Sequence, residues 1–420
     1  MNIRFYNARI LTMKSEEIID GELWTNGDSI SYVGPLVNNT DKIFEREIDC
    51  HGNLIMPSFK NAHTHTAMTF SRSLADNYQL EDWLHKAIFP REAKLEAEHI
   101  YWFTKLGMAE YIANGITSAF DMYFQVGEGA RAAKEAGMRY VFCGSVNDFG
   151  GMDRLENEFN TYNSYDPLVS YVLGFHAEYT TSMDIMKQIV DLSQKYKTPV
   201  YAHNSETENE VKGCIERYGK TPVKLLNDIG MYDYGGGGFH CVWFNDEDMN
   251  IYKDKGLTAV FNACSNLKLA SGMAPVYKFV NNGINVAIGT DGAGSNNALD
   301  MFREMYLCTT ESNILTGDPT SVDSYQMLKA ATKGGAKAMG LTDCDVLEVG
   351  KKADLIVIDM NKPNMHPVNN IVRNIVYSGN PSNIKMTICN GQILYEDGQL
   401  KTLDVNEIYS HCNNLMETLR

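Results

Sequence analysis

A (β/α)8 barrel of the TIM type, joined to a small β-sandwich that both ends of the chain build, is the α/β fold class this sequence predicts. Three observations carry that expectation. Eight short apolar or β-branched runs alternate with helical periodicity through the middle of the chain, and several of these runs end on histidine or aspartate. The two ends are β-rich and broken by turns. At 420 residues, with 44% hydrophobic and 21% charged side chains, the chain has the length and apolar content for a large barrel and a smaller module.

The amino-terminal strand candidates are residues 3–13, Gly21-Glu22-Leu23-Trp24-Thr25, Ser29-Ile30-Ser31-Tyr32-Val33 and residues 45–50. Asn26-Gly27-Asp28 supplies a hairpin turn, since Asn and Gly tolerate positive φ. The barrel strands are expected at Leu54-Ile55-Met56, Ser118-Ala119-Phe120, Tyr140-Val141-Phe142, Tyr171-Val172-Leu173-Gly174-Phe175, Val200-Tyr201-Ala202, Gly237-Gly238-Phe239, Thr258-Ala259-Val260-Phe261 and Val286-Ala287-Ile288-Gly289. Helical periodicity lies between them at residues 80–87, 98–114, 126–136 and 183–195. After the barrel, Ala353-Asp354-Leu355-Ile356-Val357-Ile358-Asp359, residues 371–377, residues 384–389 and Gln392-Ile393-Leu394-Tyr395 read as β-rich. Residues 1–55 and 344–420 therefore form one discontinuous β-sandwich domain, and residues 56–343 the catalytic barrel.

Composition narrows the function. A net charge of −16 disfavours nucleic acid and anionic membrane surfaces, leaving small molecules as the expected partners. The nine cysteines are scattered without a CxxC pair, which fits reduced core thiols and a cytoplasmic protein. The start of the chain has no signal-peptide pattern, and no run approaches the roughly 18 apolar residues a membrane span needs. The four-glycine run at 235–238 lacks the Lys-Ser/Thr that a phosphate loop would carry.

Barrel enzymes place chemistry at the carboxyl ends of their strands. There the sequence puts His63 and His65, His176, His203, His240 and Asp291. In a strand, residues i and i+2 share a face, so His63 and His65 can reach one metal ion. His203 and Asp291 complete a three-nitrogen, one-oxygen set with room for water, and Asp291 can also accept a proton from that water. Glu206, three residues after His203, is placed about one turn on, close enough to carry a proton without being a ligand.

Met56-Pro57 with Asn61-Ala62-His63-Thr64-His65, His203 with Glu206, Phe239-His240-Cys241-Val242, the run Ser265-Asn266-Leu267-Lys268-Leu269-Ala270-Ser271-Gly272, Gly289-Thr290-Asp291-Gly292 and Leu347-Glu348-Val349-Gly350-Lys351-Lys352-Ala353-Asp354 resemble, in order, the amidohydrolase superfamily. More narrowly they are similar to its S-adenosylhomocysteine/5′-methylthioadenosine deaminase group. The resemblance implies a metal-dependent hydrolytic deaminase that converts an adenine nucleoside to its inosine-type product and ammonia. It implies one divalent metal on His63, His65, His203 and Asp291, with zinc expected and iron or manganese as alternatives. His176 stands where two-metal relatives carry a bridging carboxylate.

By the same resemblance Glu206 and His240 handle protons, Glu92 binds ribose hydroxyls, Arg154 reaches the substrate tail and His176 lines the pocket. A homo-oligomer is compatible with it. Two departures are visible: Glu178 replaces the proline common two residues after His176, and Phe261-Asn262-Ala263 replaces His-Asn-Pro, both expected at the pocket mouth. The alternative activity is another amidohydrolase acting on a free heterocycle, such as a guanine or cytosine deaminase or a triazine-type chlorohydrolase.

Overall fold

The computed structural model describes residues 1–37, 41–74, 76–78 and 82–419. Two sheets organise them. The parallel sheet runs β6 (Phe59–Thr64), β7 (Ile116–Asp121), β8 (Arg139–Cys143), β9 (Val169–Ala177), β10 (Val200–Asn204), β11 (Gly236–His240), β12 (Thr258–Phe261) and β13 (Asn285–Ile288), each strand pairing with the next. This is the (β/α)8 barrel. Its closure between β13 and β6 runs through Asn61, whose side chain accepts from the Thr290 amide at 2.8 Å and donates to Thr290 Oγ1 at 2.8 Å. Gly289 is required there, because a Cβ would lie 2.6 Å from the His63 amide nitrogen. Inside the barrel, Phe120, Tyr201 and Phe239 form an aromatic layer beneath the histidines, and the His63 ring stacks on Phe239 with centroids 3.9 Å apart.

The second sheet has nine strands from both ends of the chain: β1 (Ile3–Leu11), β2 (Ile18–Asn26), β3 (Ser29–Gly34), β4 (Arg46–Asp49), β5 (Leu54–Pro57), β14 (Leu355–Ile358), β15 (Ile384–Cys389), β16 (Gln392–Glu396) and β17 (Gln399–Leu400). One expectation is corrected here. Leu54-Ile55-Met56 is not the first barrel strand: it is β5, parallel to β1 and antiparallel to β14, and it joins the two ends of the chain. Pro57 has no amide to extend a ladder, and the chain turns at Ser58 before the barrel begins at Phe59.

Residues 371–377 are also corrected, from β-rich to the helix Ile371–Ser378. Its buried residues Val372, Ile375 and Val376 repeat at helical spacing, and Asn370 caps it by accepting from the Arg373 amide, so periodicity outweighs β-branching. The helices Ala97–Ala113, Val126–Ala136 and Met183–Tyr196 match their expected positions closely. Of the helix expected at 80–87, residues 82–87 are described and helical, while Leu80 and Glu81 lie outside the described residues.

Barrel floor and terminal sheet are tied by a buried ion network. Asp354, just before β14, accepts from Arg139 Nε at 2.7 Å and Nη2 at 3.1 Å, and from Lys60 Nζ at 3.4 Å. Lys60 and Asp354 are both wholly buried. Among the described residues, no helix is long and apolar enough to cross a membrane.

Candidate active site

The carboxyl ends of β6, β10, β11 and β13 converge as the alternation of strand side chains requires. His63 is the penultimate residue of β6 and His65 lies just beyond the strand, with ring centroids 4.9 Å apart. In β10, His203 lies on the same face as the interior Tyr201, two residues earlier. Ligand atoms of His63, His65 and His203 all lie within 4.8 Å of one another. Asp291 turns its Oδ1 to this group, 3.6 Å from His63 Nε2 and 3.4 Å from His65 Nε2.

Hydrogen bonds decide which nitrogen of each ring is free. His65 Nδ1 donates to the Met122 carbonyl at 2.6 Å and His203 Nδ1 donates to the His176 carbonyl at 2.7 Å, so both Nε2 atoms carry lone pairs. Those two lone pairs face each other at 3.3 Å, an arrangement that a cation between them relieves. His63 is fully buried with neither ring nitrogen partnered, which costs about 1–3 kcal/mol unless a ligand completes it. Burial first, then neighbouring His65 and His203, holds the His63 imidazole well below its ordinary pKa, and burial with His176 does the same for His203. Neutral imidazole is the form that binds a metal. The residues present therefore fit a divalent cation.

Beside this group lies a chain of proton-holding side chains. His240 Nε2 is 3.8 Å from Glu206 Oε2, and both residues are buried. Burial opposes protonation of His240, but the Glu206 and Asp291 carboxylates outweigh it and raise its pKa. Burial likewise pushes the Asp291 carboxyl up, yet His65, His240, Ser265 and the Gly292 amide bring it below the usual carboxylate value. Ser205, His240, Cys241 and Asp291 all occupy the left-handed region, at φ of 52°, 75°, 49° and 57°. Such residues cost about 1–3 kcal/mol each and mark places where geometry is held against local preference.

One segment that the sequence flagged only as a motif supports three of these groups. Ser265 Oγ donates to Asp291 Oδ2 at 2.6 Å, Asn266 Oδ1 accepts from His240 Nδ1 at 2.7 Å, and Ser271 Oγ donates to Glu206 Oε1 at 3.0 Å. Ser295 adds a second donor to Asp291 Oδ2 at 2.9 Å. Sequence reasoning missed the roles of Ser265, Asn266 and Ser271 because their partners lie 26 to 65 residues away; only the Ser265-Asn266 run itself gave a signal.

The outer candidates divide. Glu92 is half-buried and accepts from Tyr123, whose ring centroid is 6.3 Å from that of His65; burial raises the Glu92 pKa despite this bond. The His176 ring packs 4.9 Å from His203, donates Nδ1–H to Thr180 and is held down to about 4 by burial, then by His65 and His240. Arg154 is not brought to the cluster: it is about half exposed and pairs with Glu158 on its own helix at 3.3 Å. Glu178, expected at the mouth, directly follows the carboxyl end of β9. It is buried against the helix Glu208–Tyr218, where Arg217 donates to it at 2.6 Å. Phe261 packs on Phe279, and Ala263 begins a short helix.

Known proteins resemble this chain over nearly its whole length. The amidohydrolase family profile matches residues 54–394. A 5-methylthioadenosine/S-adenosylhomocysteine deaminase of Caldanaerobacter subterraneus subsp. tengcongensis is 39% identical over 423 residues, covering 97% of this chain and 96% of that protein. A 5′-deoxyadenosine deaminase of Methanosarcina acetivorans is 35% identical, covering 98% and 97%. The crystal structure of an adenosine deaminase from Xanthomonas campestris with bound zinc superposes with a TM-score of 0.95 at 26% identity, covering 100% of this chain and 98% of that one.

Proposed function

This chain belongs to the amidohydrolase family, and we propose from that premise that it is a metal-dependent aminohydrolase of adenine nucleosides. His63, His65, His203 and Asp291 would hold one divalent ion, zinc by preference. One observation carries the reading: a carboxylate, Glu206, and an imidazole, His240, stand 3.8 Å apart beside a carboxylate oxygen of Asp291 that faces His63 and His65. That is the equipment for adding water to an amidine carbon and expelling an amine.

When bound, the metal supplies the Lewis acidity that makes water nucleophilic near neutral pH. Glu206 delivers a proton to the ring nitrogen next to the attacked carbon, while His240 and Asp291 take the proton of the attacking water. The proton held by His240 or Asp291 passes to the exocyclic amine, which leaves as ammonia while the hydroxyl proton of the adduct returns to Glu206, so nucleoside and water become inosine-type product and ammonia. Glu92, held by Tyr123 Oη at 2.7 Å, accepts hydrogen bonds from the ribose diol. His176 presents its free nitrogen to the pocket. The Arg154 guanidinium is engaged by Glu158, so small 5′ substituents such as methylthio are expected to be better substrates than the charged homocysteine tail. The nine unpaired, buried cysteines fit a reducing compartment, and we place the protein in the cytoplasm.

Ammonia release and ultraviolet absorbance, measured on metal-loaded protein with adenosine, 5′-methylthioadenosine, S-adenosylhomocysteine, adenine, guanine and cytosine, test the reading. Turnover of the nucleosides with none of free adenine is expected. Activity confined to a free base would replace it with a heterocycle deaminase. A second expectation concerns Asn266→Ala, which removes the acceptor that fixes the His240 ring. Metal content should be unchanged while kcat falls roughly 10–100-fold, as read by elemental analysis and steady-state kinetics on one sample.

A further inference from the structure

The turn between β10 and the helix Glu208–Tyr218 decides where Glu206 points, and local forces do not favour it. Ser205 sits at φ 52°, a left-handed conformation that a residue with a side chain adopts at a cost. The turn also carries the Ser205 and Glu206 amides out of the strand ladder, into an interior where unpaired N–H groups are expensive. One side chain satisfies both: Glu210 Oε1 accepts from the Ser205 amide at 2.7 Å, and Glu210 Oε2 accepts from the Glu206 amide at 2.8 Å.

This is more than helix capping. Thr207 already caps the helix, accepting from the Glu210 amide at 3.2 Å. A glutamate three residues into a helix ordinarily reaches back to the amide of the cap residue itself. Glu210 reaches past Thr207 to the two residues before it. The same turn is fastened from the other side, since the Ser205 carbonyl accepts from the Val242 and Trp243 amides at 3.1 and 2.9 Å, in the loop that follows His240. Glu210 is buried, and burial, then the Glu206 carboxylate, raises its pKa to about 7 against the two amides that draw it down. A carboxylate kept in so unfavourable a place serves what it holds.

We infer that Glu210 is a positioning residue for the reaction, a carboxylate clamp on the Ser205-Glu206 backbone that aims the Glu206 side chain at the substrate ring and at His240. The inference rests on the role of Glu206 given above. Both Glu210 carboxylate oxygens are taken up by the Ser205 and Glu206 amides, so Glu210 acts on the rate of proton delivery rather than on nucleoside or metal binding.

Glu210→Gln tests it, because glutamine can accept from one amide but sets an N–H against the other. On whichever adenine nucleoside the wild type turns over, E210Q is expected to keep its metal and a KM within about twofold of wild type, while kcat falls roughly 10–100-fold. Asn370→Ala, which uncaps the distant helix Ile371–Ser378, is the control for stability alone: it lowers Tm and leaves kcat as it was. An E210Q enzyme with wild-type kcat, or one whose loss appears in KM or in metal content, overturns the clamp. Should E210Q fail to accumulate as folded protein, E210D, one methylene shorter, is read by the same criteria. A wild type inactive on every adenine nucleoside sinks the deaminase reading alone. The clamp is then judged by a crystal structure of E210Q: a displaced 205–206 turn supports it and an unmoved one refutes it.

Discussion

Glu206→Gln is expected to bind metal as the wild type does and to lose turnover by about 10²–10⁴-fold. Glutamine keeps the volume and still accepts from Ser271 Oγ, 3.0 Å from Glu206 Oε1 in the wild type, so the pocket should hold its shape. What it lacks is a titrating oxygen facing His240. The three histidines are unaffected, because His65 and His203 are oriented by the Met122 and His176 carbonyls and His63 is held by its stack on Phe239. Elemental analysis and ammonia release on one sample separate the two properties. A variant with wild-type rate would remove Glu206 from the chemistry; one that lost its metal would make Glu206 part of the coordination.

Asp354→Ala is expected to bring the largest loss of stability, about 3–5 kcal/mol, because it strands Lys60 and Arg139 in the floor of the barrel. Lys60 keeps only Ser58 and Thr117 hydroxyls as partners, at 3.1 and 3.0 Å. Replacing the pair by matched apolar residues would cost far less, since the penalty lies in the uncompensated charge. Burial alone would push the Asp354 carboxyl up, but Lys60 and Arg139 hold it far below the usual carboxylate range. A carboxylate whose folded pKa is depressed stabilises the fold fully above its unfolded value, near 4. The contribution is lost only as pH falls below that toward the folded value. Chemical denaturation at neutral pH should therefore show the whole difference between wild type and D354A, and the difference should shrink in strong acid. Equal midpoints at neutral pH would refute the latch.

Much of this was legible in the residues. Strand alternation places His63 and His65, and apolar runs ending in His203, His240 and Asp291 name the remaining strand ends, because a barrel exposes its strand termini at one mouth. The first strand was misplaced by one element, since Leu54-Ile55-Met56 and Phe59–Thr64 are adjacent buried runs and only hydrogen-bond partners distinguish them. Residues 371–377 misled because β-branched residues at helical spacing satisfy both patterns. Resemblance alone placed Arg154 and Glu178: Arg154 pairs with Glu158 one turn on along its own helix, and Glu178 with Arg217, which only folding brings beside it.

The sequence by itself determined the class of chemistry, because metal ligands and a proton carrier are residue types, and their periodic placement survives any detail of packing. The tertiary structure alone decided how those groups are held. Ser265, Asn266 and Ser271 reach Asp291, His240 and Glu206 across the barrel mouth, Glu210 bends the backbone beneath Glu206, and Asp354 joins the two sheets. Hydrogen bonds act over about 3 Å and carry no periodicity along the chain. Except for Glu210, whose partners are near neighbours in the chain, the partner of each of these residues, and hence its role, exists only once distant segments have been brought together.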